Sequence, residues 1–571
     1  MRPLLRLAAL SALLLNACYP PGDGKPPPPE ELYFPTGLAL DTQAKSESVE
    51  GAPRYLYVVN SDFDLQYRSA SVISYDLDAL LKVVPRNCTT NADCPQSQKC
   101  DARDADGLLD GQPQNSDWNP SYYCVDLDDQ GHPKVCGDAA ERDQADLVLY
   151  PGRCPSIVPT SDGTDGSMVR DSVGIGAFAT DVLWRENKSA TAGSPASRLF
   201  VPVRGDSSLH WIDVNDGQLE CGDNNGDDDG CDADHRAGNR PAVTDDHLVQ
   251  PAEPFAIDAT NDGTYVGVTN QTTGTVSLYH NDWAGDAELV SIASGLPLAP
   301  VGIAAVPEPE IAEKAQLPGP AFLVTYRSAP QIDLLRVRED PASAGASTDY
   351  DRFTLRRAGS VLLTANSLGF DSRGIAIDSR DREQGYSRCE ADSNCAAAAD
   401  PKGCRANCLQ TAPQSSVFVA SRAPASLLVG AMTADSNYTF NTNELPSFTD
   451  SIALTFGPSR VIVGDVRVPT TATDKEHDDH GPFALESRVF VVCFDSRRIF
   501  VYDPKRRRIE AIVSTGRGPH ALAVDSKRGL AYLGHFTDSY LGVISLDQRF
   551  PQTYATIVAS IGTPKAPRSS K

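Results

Sequence analysis

Gly374-Ile-Ala-Ile-Asp378 has counterparts along the whole chain, and their recurrence decides the fold. They are Gly37-Leu-Ala-Leu-Asp41, Ala177-Phe-Ala-Thr-Asp181, Pro254-Phe-Ala-Ile-Asp258, Gly302-Ile-Ala-Ala-Val306, Ser451-Ile-Ala-Leu-Thr455 and Ala521-Leu-Ala-Val-Asp525. Their aligned alanines are Ala39, Ala179, Ala256, Ala304, Ala376, Ala453 and Ala523. A second apolar run follows each phrase, at 55–60, 199–203, 265–270, 322–326, 417–421, 489–494 and 531–536. A third follows that one, and a fourth is plain at 287–293, 508–514 and 553–560. Seven units of about four short strands predict an all-β fold, a seven-bladed β-propeller. The small Ala is expected on the first strand, where blades converge on the axis. Unit two departs most from the pattern and leaves a six-bladed ring with one irregular unit as the alternative.

Strands within a blade alternate in direction, so first-to-second and third-to-fourth turns emerge on one face. The long insertions fall there: 43–53, 185–197, 307–319, 380–415 and 456–487 between first and second strands, and 78–165, 216–246 and 338–350 between third and fourth. One face is therefore expected to be decorated and the other short. Long loops in a compact domain mark an interaction surface more often than not. The resulting layout is a signal peptide at 1–17, a Pro-rich spacer at 18–31, the propeller at 32–562 and a tail at 563–571. Cys-rich insertions lie at 86–155, 216–246 and 380–415.

Two units carry a family resemblance. Val268-Thr269-Asn270 with Gly274-Thr-Val-Ser-Leu278, and Gly518-Pro-His-Ala-Leu-Ala-Val-Asp525 with Leu530-Ala-Tyr-Leu533, resemble YVTN-type propeller repeats. The resemblance implies a fold and no particular chemistry, since such propellers include binding scaffolds and some enzymes.

At the N-terminus, Arg2 and Arg6 precede an apolar stretch from Leu4 to Leu15, too short to span a bilayer. Leu15-Asn16-Ala17-Cys18 then resembles the lipobox of bacterial lipoproteins, and Pro26-Pro27-Pro28-Pro29 reads as a semi-rigid spacer. The resemblance implies a lipidated, palmitate-bearing Cys18 as the membrane anchor. Tyr19 after it, in place of Asp, implies the outer membrane of the cell envelope. Without Arg2 and Arg6, 49 of the 51 basic residues remain against 76 acidic ones, a formal charge of −27. That argues against nucleic acid and against electrostatic adhesion to anionic lipid.

Besides Cys18 there are thirteen cysteines among the 14. Cys493 lies in an apolar run and reads as a buried thiol. The others group as six (88, 94, 100, 124, 136, 154), two (221, 231) and four (389, 395, 404, 408). Even local groups predict six disulfides within the groups in an oxidising compartment. The first group opens like small Cys-rich modules, with five residues between successive cysteines.

Signs of chemistry are sparse. Asp223, Asn225, Asp227 and Asp229 alternate in an acidic, Gly-containing loop similar to thrombospondin-type calcium repeats, as does 104–110. Ca²⁺ is the implied ion, and a solvated acidic loop is the alternative. His477-Asp478-Asp479-His480 reads as an exposed polar loop rather than a metal site. His520 and His535 are expected toward the short-loop face, where they either line a ligand site or pack turns. No nucleophile elbow, zinc-protease, phosphate-loop or haem-attachment motif is present, and 174–179 imitates a dinucleotide fingerprint but leads into a strand. The expected function is a lipid-anchored, non-enzymatic scaffold binding a protein or glycan. The alternative is a propeller hydrolase or lactonase with an axial metal or His site.

Overall fold

A computed structural model describes residues 25–564, apart from 82–97, 104–120, 127–155, 162–166, 191–193, 223–229, 240–247, 308–318, 341–351, 364–368, 412, 433–444, 472–475, 479–480 and 552. Seven antiparallel sheets form a seven-bladed propeller. The innermost strands, blade by blade, are Pro35–Leu40, Leu183–Glu186, Pro254–Ala259, Pro300–Ala305, Phe370–Asp378, Pro458–Pro469 and Pro519–Asp525. In each blade the four main strands pair in chain order from the innermost outward, with other strands intervening in sequence in blades one and six.

The second strands explain why a ring forms. Tyr55–Asn60, Ser197–Val203 and Ala321–Tyr326 are buried at every position. A strand whose two faces are both covered reads as a continuous apolar run rather than an alternating one. Here each face of a blade meets a neighbouring blade. Among the described residues, the buried apolar side chains fall into seven clusters, one per gap between blades. Leu56, Val58 and Ile73 of blade one, for instance, pack with Tyr532, Leu541 and Val543 of blade seven, closing the ring. A second clasp comes from the insertion after the third strand of blade one. Its Ser156–Ile157 runs parallel to Ile557–Ile561 as a fifth strand on blade seven.

Two expectations need correction. Blade six does not begin at Ser451. Pro446–Ala453 is the outer strand of blade five, and its burial alternates along its length, as a half-exposed strand requires. The inner strand of blade six is Pro458–Pro469, paired over most of its length with Gly481–Cys493, so 456–487 is largely a long hairpin of the blade itself. Secondly, the alanines do not share one structural position. Pro35, Pro254, Pro300, Pro458 and Pro519 begin inner strands opposite Asn60, Asn270, Tyr326, Cys493 and His535. The residue paired three places further along the second strand is Ala39, Asp258, Ala304, Ile462 and Ala523 in those blades. The corresponding residues are Leu183 in blade two and Ala376 in blade five. That position therefore tolerates large side chains, and the close approach happens elsewhere.

The 380–415 insertion is helical, against an all-β expectation. Arg380–Ala391, Ser393–Ala396 and Pro401–Thr411 form three short helices stapled by Cys389–Cys408 and Cys395–Cys404. The Asp392 carboxylate accepts the Asn394 N–H at 2.8 Å and caps the middle helix. Cys221–Cys231 closes the loop beyond the third strand of blade two, and Cys493 is a buried free thiol. Each of these three bonds lies within its own group. The side chains of the 88–154 group lie outside the described residues, although Gln98–Arg103 and Ser121–Asp126 pair as a hairpin.

Candidate functional site

Each inner strand starts in the same way. A residue with positive φ marks the opening: Phe34, Glu253, Ala299, Gly457 and Gly518 directly before the strand, Asp371 as its second residue, and Phe178 before the Ala179–Val203 bridge that leads into Leu183–Glu186. Five of these precede Pro, and in six blades the pairing of first and second strands slips immediately afterwards. A bulge bends the strand and re-aims the side chains after it. Pro suits this start because its missing N–H leaves no ladder bond unmade.

The third residue after the positive-φ position is where the ring tightens. Going round the blades it is Gly37, Asp181, Ala256, Gly302, Gly374, Arg460 and Ala521. A Cβ on Gly302 would stand 2.1 Å from the Arg373 carbonyl oxygen of the next blade, and one on Gly374 would stand 2.7 Å from the Val461 nitrogen. Backbone atoms cannot swing away from such contacts, so these positions need Gly. The two exceptions, Asp181 and Arg460, belong to blades two and six, with blades seven and one between them. They meet each other: Arg460 Nη1 donates to Asp181 Oδ1 at 2.9 Å. Burial pushes the Asp181 carboxyl above its ordinary value, and the guanidinium opposes that shift without cancelling it.

A chain of contacts runs round the same level. His520 Nδ1 donates to the Thr36 carbonyl at 3.0 Å, which places the proton on Nδ1 since a carbonyl can only accept. Thr36 Oγ1 donates to the Ala179 carbonyl at 3.0 Å, and Thr180 Oγ1 to the Phe255 carbonyl at 2.7 Å. Blades seven, one, two and three are thus linked in succession. Burial, with Arg460 nearby, pushes His520 down to about 3, so its ring is neutral. Above it lies an aromatic group in which Phe63 is ringed by Phe34 (5.9 Å), Phe178 (5.9 Å) and Phe536 (5.4 Å).

His535 does not join this site. It is fully buried within blade seven, stacked on Tyr540 at 4.0 Å, and its Nε2 accepts the Gly516 N–H at 3.2 Å. Burial likewise pushes it down to about 3. Asp223, Asn225, Asp227 and Asp229 lie outside the described residues, as does Cys18; the Cys221–Cys231 bond closes the loop that contains those four residues. The side chains of 477–480 are likewise outside them. Among the described residues no three His, Cys, Asp or Glu side chains gather to hold a metal ion. Sequence reasoning missed Arg460, Phe63 and the pairing role of Asp181. The recurrent strand-opening Pro would have put Arg460 level with Gly37, Ala256, Gly302 and Ala521, but blade two opens with Ala179 in place of Pro, so only the positive φ of Phe178 brings Asp181 to the same position.

No protein-family model matches the chain, and no curated protein matches it. Solved structures similar to it include a protein from Lactobacillus plantarum (13% identity, 85% of this chain and 86% of that one, TM-score 0.37). Others are a putative 6-phosphogluconolactonase from Bacteroides uniformis (11%, 74% and 98%, TM-score 0.33) and the periplasmic gluconolactonase PpgL of Pseudomonas aeruginosa (14%, 71% and 84%, TM-score 0.28). Likeness this distant carries no argument about chemistry. The class, a seven-bladed propeller, rests on the strand pairing itself.

Both histidines make acid the weak side of this fold. Each is held neutral when folded and titrates near 6.5 when unfolded, so the unfolded chain takes up protons first as pH falls. Between pH 6 and 4 each histidine should cost about 1.4 kcal/mol per pH unit. Asp181, raised by burial, acts in the opposite sense. His535→Gln should flatten the fall in denaturant-measured stability over that interval. Parallel profiles for wild type and variant would contradict the assignment.

Proposed function

We propose that this chain is a lipid-anchored protein of the outer membrane, held through Cys18, whose YVTN-type propeller presents a braced surface to a protein or glycan partner. The observation that carries this reading is the asymmetry of the connections. Second-to-third turns such as 204–207, 271–274, 327–330, 494–497 and 536–539 are four residues each, whereas the stapled helical insertion of blade five leaves the opposite edge. Covalent staples hold the helical insertion of blade five in shape without a core of its own, and a preformed surface loses less entropy on binding. Arg380, at the start of that insertion, is tied to Asp378 and, in blade six, to Asp465 and Ser487.

The hydrolase or lactonase alternative needs a base or metal set at the axis. Asp258, on the inner strand of blade three, is tied to Arg185, and at the collar stand His520, its Nδ1 engaged by Thr36, and Asp181, paired with Arg460. These groups are bound up in holding the ring, which favours the scaffold. A photo-crosslinker at Lys402, exposed on the blade-five insertion, tests the reading in cells. Capture of one discrete protein or glycan, lost when Cys389, Cys395, Cys404 and Cys408 become Ser, is the expected result, together with release of Cys18→Ser from the membrane fraction. Capture indifferent to the staples, or lactone hydrolysis by the purified protein, would contradict it.

Ca²⁺ at Asp223, Asn225, Asp227 and Asp229 belongs to the same proposal. Millimolar Ca²⁺ should raise the melting temperature where Mg²⁺ at equal ionic strength does not, and Asp227→Ala with Asp229→Ala should abolish the difference. A rise that Mg²⁺ reproduces would mean charge screening alone.

A further inference from the structure

The undecorated face carries a feature that the scaffold reading leaves unused. Of the nine large hydrophobic residues that stand exposed among the described residues, Phe63, Leu65, Leu298, Phe370 and Phe456 lie on short-loop turns or at the strand ends beside them. Three of these hold one equivalent position, immediately before the positive-φ residue: Leu298 in blade four, Phe370 in blade five and Phe456 in blade six. They are 61%, 46% and 67% exposed, whereas Tyr33 at the same position in blade one is buried. Blades four, five and six thus each expose a large apolar side chain at this one position, side by side along the rim.

The same sector is cationic. Arg327 of blade four and Arg373 and Arg422 of blade five share two carboxylates, Asp371 and Asp495. Arg373 holds Asp371 closely, at 2.6 Å. Arg327 reaches the same carboxylate only at 3.8 Å, and Arg422 reaches Asp495 at 3.4 Å. Three guanidinium groups against two carboxylates leave one excess positive charge, on a chain whose formal charge is −25. Burial and the like charges of Arg373 and Arg327 push the Arg422 guanidinium below its ordinary value, so added negative charge there would relieve repulsion. Arg422 Nε donates to the Pro458 carbonyl at 3.2 Å, which fixes this group two residues from Phe456. Apolar surface and unbalanced cation therefore lie side by side.

We propose that this sector of the rim, formed by Leu298, Arg327, Phe370, Arg373, Arg422 and Phe456, binds a small organic carboxylate carried on an apolar, ring-containing body. The arginines supply planar donors for the carboxylate, and the exposed phenyl rings supply faces and edges for the ring system. Such a ligand fits both halves at once, whereas inorganic anions use only the first and neutral aromatics only the second. The site lies on the face away from the stapled helices of blade five, so it is separable from the partner surface proposed above.

2-Naphthoate is the probe, titrated by calorimetry into the soluble chain beginning after Cys18. Saturable one-to-one binding is expected, at least tenfold tighter than 2-naphthalenemethanol or acetate. Arg327→Gln and Phe456→Ala both change exposed side chains, so folding should survive, with melting temperature as the check. Each should weaken naphthoate about tenfold, a loss of ~1.4 kcal/mol. Absence of naphthoate binding, equal binding of the neutral analogue or of acetate, or an affinity unchanged in either folded variant would overturn the proposal. Lys402 crosslinking is independent of all these outcomes.

Discussion

Seven strands can converge on one axis only if almost nothing projects between them. Gly37, Gly302 and Gly374 meet that constraint by having no side chain where a Cβ would strike the backbone of the next blade. Ala256 and Ala521 meet it with a methyl group. The remaining two places hold Asp181 and Arg460, which occupy the space the small residues leave and join blades two and six directly. Everything outside this collar is ordinary sheet packing, one apolar cluster per gap. A buried ion pair is weak evidence for stability as such, because desolvation offsets much of the attraction. Its evident consequence is registry: only one mutual placement of blades two and six lets the two charges meet.

The blades were legible because their second strands are covered on both faces. A stretch such as Tyr55-Leu-Tyr-Val-Val-Asn60 has no polar alternation to mislead the eye. Short phrases were a poorer guide. Ser451-Ile-Ala-Leu-Thr455 shares its letters with inner strands, yet its polar and apolar residues alternate from Phe448 onward, the mark of an outer strand with one face in water. Three of the seven alanines were out of register: Ala453 lies on that outer strand, Ala179 is itself the opening residue of blade two, and in blade three a bulge between Pro254 and Ile257 shifts Ala256. The blade-five helices were invisible because Arg380-Asp-Arg-Glu-Gln-Gly385 has no apolar stripe; disulfides do for that insertion what a core does for the blades. Local even numbers of cysteines did indicate which partners were available, and the three described bonds stay within their groups.

The site was the least legible part, for a physical reason. Its residues come one or two from each blade, so no sequence window contains more than a fragment. Asp181 and Arg460 are 279 residues apart, and nothing local to either announces the other. Only counting from a common structural origin brings them together. That same counting exposes a division of labour in which the collar holds the ring, the stapled helices of blade five extend from one face, and the apolar, cationic rim occupies the other.

The collar is the claim on which this account stands, and a double-mutant cycle at Asp181 and Arg460 tests it most directly. Asp181→Ala and Arg460→Ala are each expected to cost about 2 kcal/mol, between the ~0–1 of exposed pairs and the ~3–5 of breaking a fully buried one. The double variant should lose at least ~1 kcal/mol less than the sum, since no unpaired charge is then left at the axis. Losses that add to within ~0.5 kcal/mol would show that the two side chains do not meet, and the axial arrangement described for blades two and six would be wrong.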